Sequence, residues 1–172
     1  VTFNGGVEQN LTLNVFTIFD DLTVYTGTTL IETVTDDNAL LSGVLANYGV
    51  IRKSQPVTET DSFYFGLAGH SDDADIEVNV TSLGSLSQLQ VDRVDANPPS
   101  APEGVTTPIY WAITPSGSGY EATLSLPHAG LSDPKACRYG GGIVWDCDRN
   151  TFDPTLVTRQ DVTAFSTWAV YD

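Results

Sequence analysis

Apolar and polar residues alternate along most of this sequence with a period of two. The alternation is clear over residues 7–19, 22–26, 28–35, 62–67, 74–81, 86–94, 108–115, 119–126, 142–147, 155–160 and 162–171, and these stretches are rich in Val and Thr. Side chains on a pleated strand point to opposite faces in turn, so this pattern predicts strands with one buried face. The punctuation between them suits β-turns: Gly27, Gly84, Asn97-Pro98-Pro99, Ser116-Gly117-Ser118-Gly119 and Gly140-Gly141-Gly142. One stretch departs from the period. In DNALLSGVLANYG, residues 37–49, the residues Leu40, Leu41, Val44 and Leu45 fall at helical spacing. Asp37 or Asn38 can cap a start and Gly49 an end, so a short helix is predicted over 38–48.

Ten or so short strands separated by turn signals predict an all-β, antiparallel sandwich of immunoglobulin-like or jelly-roll-like type, with a closed barrel as the alternative. No internal repeat of 20–50 residues stands out, which argues against a solenoid or propeller. The 172 residues, 41% of them hydrophobic, suit one domain with a sizeable core.

Charge narrows the partners. Seven basic residues stand against 22 acidic ones, a formal net charge of −15. Nucleic acid is repelled by such a chain, and no basic stripe runs through it. No apolar run approaches the ~18 residues that a membrane helix needs, so membrane insertion is not expected. The sequence has no Met and shows no basic-then-apolar leader at Val1. We therefore expect a mature exported chain.

Both cysteines lie in CRYGGGIVWDC, residues 137–147. A catalytic thiol wants a base nearby, and neither His70 nor His128 is close in sequence. A zinc site wants about four ligands, and two Cys with two scattered His match poorly. The spacing is not that of a C-x-x-C redox pair. A disulfide asks least: Cys137 and Cys147 flank three glycines, and their bridge would close the base of a hairpin. That reading implies an oxidising compartment and, with the acidic balance, an extracellular or cell-surface protein.

Other candidates are local. Asn10-Leu11-Thr12 and Asn79-Val80-Thr81 are glycosylation sequons. GHSDDADIE, residues 69–77, is the densest polar cluster. Asp72, Asp73 and Asp75 there could supply oxygen ligands to calcium, although the stretch does not match an EF-hand loop. No G-x-S-x-G elbow and no H-E-x-x-H occurs, His128 reads as a turn residue, and no carboxylate spacing singles out a glycosidase pair. No catalytic residue is assigned. Trp111, Trp145 and Trp168, with Tyr110, Tyr120 and Tyr171, could stack on polysaccharide if exposed. Trp111 and Trp168 sit in dense apolar runs, where burial in the core is expected.

The stretch YWAITPSGSGYEATLSLPHAGLSDPKACRYGGGIVWDCDRNTF, followed by VTRQDVTAFSTWAVYD, resembles the closing module of large secreted surface proteins of filamentous and environmental bacteria. The resemblance covers about residues 90–172 and implies an extracellular β-sandwich without catalytic machinery.

The N-terminal stretch adds a second expectation. Residues 1–19 form one long alternating run broken at Asn4-Gly5-Gly6; fully extended it would span about 60 Å, long for one strand of a small sandwich. Residues 1–6, including Val1 and Phe3, read as a donor strand that completes a neighbour's sheet, with Gly5-Gly6 as the hinge to a single domain over 7–172. Head-to-tail copies joined this way would form an open, pilus-like filament. The alternative is a carbohydrate-binding or adhesin module stabilised by calcium.

Overall fold

The computed structural model describes residues 1–11, 17–32, 39–41, 43–66, 76–101, 108–142 and 144–172. The chain is all-β, and two of its sheets pack as a sandwich. The N-terminal third is built differently from the rest. Strands β1 (Thr2–Phe3), β2 (Glu8–Leu11) and β3 (Thr17–Phe19) each begin a separate sheet. The next three, β4 (Leu22–Val24), β5 (Thr29–Glu32) and β6 (Ala39–Leu41), pair with them in parallel and in the same order. A third round follows in β7 (Leu45–Asn47) and β8 (Val50–Pro56), parallel to β4 and β5.

Register shows a coil. Thr2 pairs with Thr23 and Thr23 with Ala46, steps of 21 and 23 residues. Glu8 pairs with Thr29 and Thr29 with Val50, steps of 21 each. This is a short three-faced parallel solenoid, contrary to the reading that no repeat of such length is present. The repeat is visible once aligned: TFNGGV, TVYTGT and ANYGV occupy the same corner of successive coils. Gly6 and Gly27 both adopt left-handed backbone (φ 63 and 78), and Gly27 packs on the Cα of Gly6. A side chain resists that conformation, which fixes glycine at this corner. The third coil turns more tightly, through Tyr48-Gly49-Val50. A Cβ on Gly49 would press on the carbonyl oxygens of Thr28 and Tyr25. Gly49→Ala is therefore expected to destabilise by about 1–3 kcal/mol, as other overpacking substitutions do. Urea denaturation would check it, and an unchanged midpoint would show that the corner can open.

Inside the coils lies a small core of Leu22, Val24, Leu30 and Ile51, with Phe3 and Leu45 against it. The helix expected over 38–48 does not form in the described residues: Ala39–Leu41 and Leu45–Asn47 are strands. The apparent helical spacing of 40, 41, 44 and 45 comes from two strands flanking a corner. Asp21 holds that corner, its carboxylate accepting from the Val44 backbone N–H at 2.9 Å, while the Leu22 N–H donates to the Val44 carbonyl. Pairing across coils outweighs local propensity here.

β8 changes partners and joins the two parts. One edge runs parallel to β5, and the other pairs antiparallel with β11 (Gln88–Val94). The sheet continues through β12 (Tyr110–Ser116), β18 (Thr167–Tyr171), β14 (Lys135–Tyr139) and β15 (Trp145–Asp148), giving eight strands from β2 to β15. Facing it is a five-stranded antiparallel sheet. Its order is β16 (Thr151–Phe152), β17 (Leu156–Val162), β13 (Glu121–Pro127), β10 (Ile76–Ser82) and β9 (Ser62–Phe65). The main core fills the space between them, with Val78, Leu89, Trp111, Leu124, Leu126 and Trp168 among its members.

Charged pairs brace the join. Arg52 on β8 makes a bidentate contact with Asp92 on β11, at 2.7 and 2.8 Å, and reaches Glu8 on β2 at 2.9 Å. The hydrogen bond to Asp92, more than any other influence, holds the Arg52 guanidinium above its ordinary pKa. Asn47 accepts from the Gly49 N–H and donates to Asp95, which also clamps Arg93. Glu32 and Lys53 are register partners and both are buried, Lys53 also donating to the Gly66 carbonyl.

Candidate functional surface

The stretch CRYGGGIVWDC is a staple in the structure. Cys137 and Cys147 are directly opposed on β14 and β15 and joined by a disulfide, which fits a non-reducing compartment. Cys137 and Ala169 are fully buried on the outer side of the eight-stranded sheet, in a second small core with Tyr171. Trp145 caps it: its ring lies 5.2 Å from that of Tyr139 and 5.3 Å from that of Tyr171, and its indole N–H donates to the Ser100 carbonyl. Burial pushes the Tyr171 hydroxyl up to about 12. The staple thus supports an outer layer beneath the chain near Ser100, a structural role.

The aromatic residues considered for sugar stacking divide as their context suggested. Trp111 and Trp168 lie in the main core, Tyr120 is buried and stacks on Phe165, and Trp145 and Tyr110 are half-buried. No platform forms from these six. His128 is 2% exposed in the connection from β13 to β14, where Nε2 meets the Asp153 carbonyl at 2.7 Å and the His128 carbonyl accepts from Leu131 N–H. The Asp153 carboxylate accepts from the backbone N–H groups of Leu156 and Thr155 and from the Thr155 hydroxyl, and these bonds hold its pKa below the usual carboxylate range. Both residues build a turn.

The calcium candidates Asp72, Asp73 and Asp75, and with them His70, lie outside the described residues. Among the described residues no group of three His, Cys, Asp or Glu is placed to hold a metal, and no helix is long and apolar enough to cross a membrane. A cleft between coil and sandwich, lined by Ile51, Lys53, Phe65, Val91 and Arg93 among others, has a volume of about 20 Å³, room for about one water molecule. Of the sequons, Asn79 is exposed in mid-β10, between Ser62 and Thr123, and Asn10 is exposed on β2.

Residues 1–6 are the remaining candidate. In the structure they are held by their own chain: the Val1 and Phe3 carbonyls accept from the Thr23 and Tyr25 N–H groups at 2.9 and 3.0 Å, and the Val1 amino group donates to Asp21. Gly5 and Gly6 form the first solenoid corner. What this creates is an edge. β1, β2 and β3 all lie at one end of their sheets and on the same end of the coil stack. In a parallel ladder, alternate residues send both backbone groups to the same neighbour. Val1, Phe3 and Val7 face β4 and β5, so the N–H and C=O groups of Thr2, Glu8 and Asn10 face away from them. Val1 and Val7, at 58% and 60% exposure, flank these groups. The sequence offered a signal for this edge in the TFNGGV and TVYTGT corner repeat.

Comparison of the chain with family profiles, curated proteins and solved structures finds no match.

Proposed function

We propose that the chain is an extracellular structural protein, a subunit of a surface filament that assembles by β-strand addition at its first coil. The observation that carries this reading is the outer side of the first described coil, where the backbone N–H and C=O groups of Thr2, Glu8 and Asn10 point away from the coil stack beside exposed valines. Such edges are templates for pairing with another chain, and proteins that must stay monomeric blunt them. Among the described residues the eight-stranded sheet runs from β2 at one edge to β15 at the other, so one copy can meet the next head to tail, the arrangement that gives open filaments. The mode differs from the donor-strand expectation: residues 1–6 stay in their own coil, and a neighbour's strand adds outside them. The disulfide and the acidic surface support an extracellular setting.

Proline tests the edge selectively. Thr2 and Asn10 direct their N–H groups away from the chain's own ladders, so Thr2→Pro with Asn10→Pro removes donors from the free edge while leaving the intrachain bonds in place. Negative-stain microscopy and sedimentation of the full chain should show filaments for the wild type and dispersed particles for the variant, with the same far-UV spectrum. Filaments formed equally by the variant would refute strand addition at this edge. A wild type that stays monomeric at high concentration would refute the filament.

A further inference from the structure

The first corner of the solenoid carries Asn4-Gly5, the sole Asn-Gly pair in the sequence. Asn4, Gly5 and Gly6 are all exposed and lie between β1 and β2, outside either ladder. Among the described residues the Asn4 carboxamide and the Gly5 N–H have no hydrogen-bond partner. The corner is nevertheless held at both ends. The Phe3 carbonyl accepts from the Tyr25 N–H at 3.0 Å, and the Gly6 N–H donates to the Thr28 hydroxyl at 3.3 Å. One further contact falls on the peptide between Asn4 and Gly5. The Gln9 side-chain amide donates to the Asn4 carbonyl oxygen at 3.3 Å, and Gln9 is itself fixed by its pairing with Leu30 across β2 and β5.

We infer that Asn4-Gly5 is a self-modification site, at which Asn4 converts through a succinimide to isoaspartate. A solvent base takes the Gly5 N–H proton. The nitrogen then bonds to Asn4 Cγ, the Cγ–N bond of the carboxamide breaks, and the leaving group takes up a proton from solvent and departs as ammonia. Glycine has no side chain to shield the attacking nitrogen, and nucleophile and carbonyl are held together in one step of the chain. The charge that develops on the deprotonated peptide is shared with the Asn4 oxygen, where the Gln9 donor stabilises it. Water then opens the ring. Attack at the Asn4 backbone carbonyl, the one that Gln9 polarises, breaks its bond to the nitrogen and leaves isoaspartate; attack at Cγ gives aspartate. Isoaspartate routes the main chain through the side-chain carbon, which adds one methylene between the anchors at Phe3 and Gly6, and it adds a negative charge. The groups used here are separate from the backbone groups of Thr2, Glu8 and Asn10 proposed for assembly, so the two readings fail separately.

The test incubates the full wild-type chain from neutral to mildly alkaline pH and follows the mass of its N-terminal peptide, with isoaspartyl methyltransferase labelling to separate the two products. A gain of about one dalton at Asn4, the exchange of an amide for an acid, is expected. It should be faster as the pH rises, with isoaspartate exceeding aspartate. Gly5→Ala should slow the gain at least tenfold; the Cβ it adds presses only on the movable end of Gln9, so the corner tolerates it. Gln9→Met keeps a side chain of similar length without the donor. It should slow the gain severalfold and move the product toward aspartate, a change of ratio that a merely structural role would not produce. A folded chain that gains no mass at Asn4 while a urea-unfolded sample does, or a Gln9→Met chain with unchanged rate and product ratio, would overturn the inference.

Discussion

Replacing Cys137 and Cys147 together by alanine is expected to lower the unfolding free energy by about 3 kcal/mol, the loop-closure entropy that a bridge of this span removes from the unfolded chain. The two residues are ten apart. The native side of the balance points the same way. β15 is an edge strand whose one partner is β14, yet it carries Trp145, the lid of the outer core. Without the bridge, that lid depends on the short β14–β15 ladder and on the Arg159 contacts to Asp146. Urea denaturation of the oxidised chain, the chain in dithiothreitol and the double variant should place the oxidised chain highest, and amides of residues 145–148 should exchange faster in the variant. A difference below about 1 kcal/mol, within the range of a typical surface substitution plus one lost contact, would show that the hairpin holds without its staple.

Most of the C-terminal two thirds of the fold was legible because its strands of five to seven residues show their period, whereas the two-residue β16 was not. Residues 119–126 alternate cleanly, and Glu121–Pro127 is β13. The cysteine hairpin was legible because its glycines and its closing pair are contiguous. The solenoid was not, for two reasons. Its strands are two to four residues long until β8, too short for a period to register, and its corners differ by one or two residues between coils. β8 itself was missed because Arg52, Lys53 and Pro56 interrupt an apolar reading. In the structure Lys53 is buried opposite Glu32, and Arg52 turns outward to Asp92. A strand that satisfies its charges across the sheet looks polar in sequence, yet this strand welds the coils to the sandwich.

That weld has a consequence for the candidate surface. The strand edge proposed for assembly sits on the coil stack, and the coils share one sheet with the sandwich through β8 and β11. Load applied at the first coil is therefore carried along a continuous eight-stranded sheet, braced by Arg52–Asp92 and Asn47–Asp95, to a stapled strand at the far edge.

Trp168→Ala is expected to cost about 3–5 kcal/mol, the range for deleting a buried Trp or Phe from a packed core. Trp168 is 1% exposed near the start of β18, directly opposite Trp111 on β12. Its loss would act on both sheets. The Arg159 guanidinium, from β17 in the five-stranded sheet, lies 5.5 Å above the Trp168 ring. The same group bonds the carbonyls of Ala136 and Asp146 and the Asp146 carboxylate. Arg159 thus ties the opposite sheet to the cysteine hairpin, with the indole as its floor. Trp168→Phe should behave differently. Among the described residues the buried indole N–H has no hydrogen-bond partner, and a buried donor left unpaired costs free energy. Phenylalanine removes that donor while keeping a ring beneath Arg159, so it is expected to cost less than half as much as alanine. Chemical denaturation of the two variants measures the contrast. Equal losses would mean that the full indole shape, and not a ring under the cation, is what the core requires.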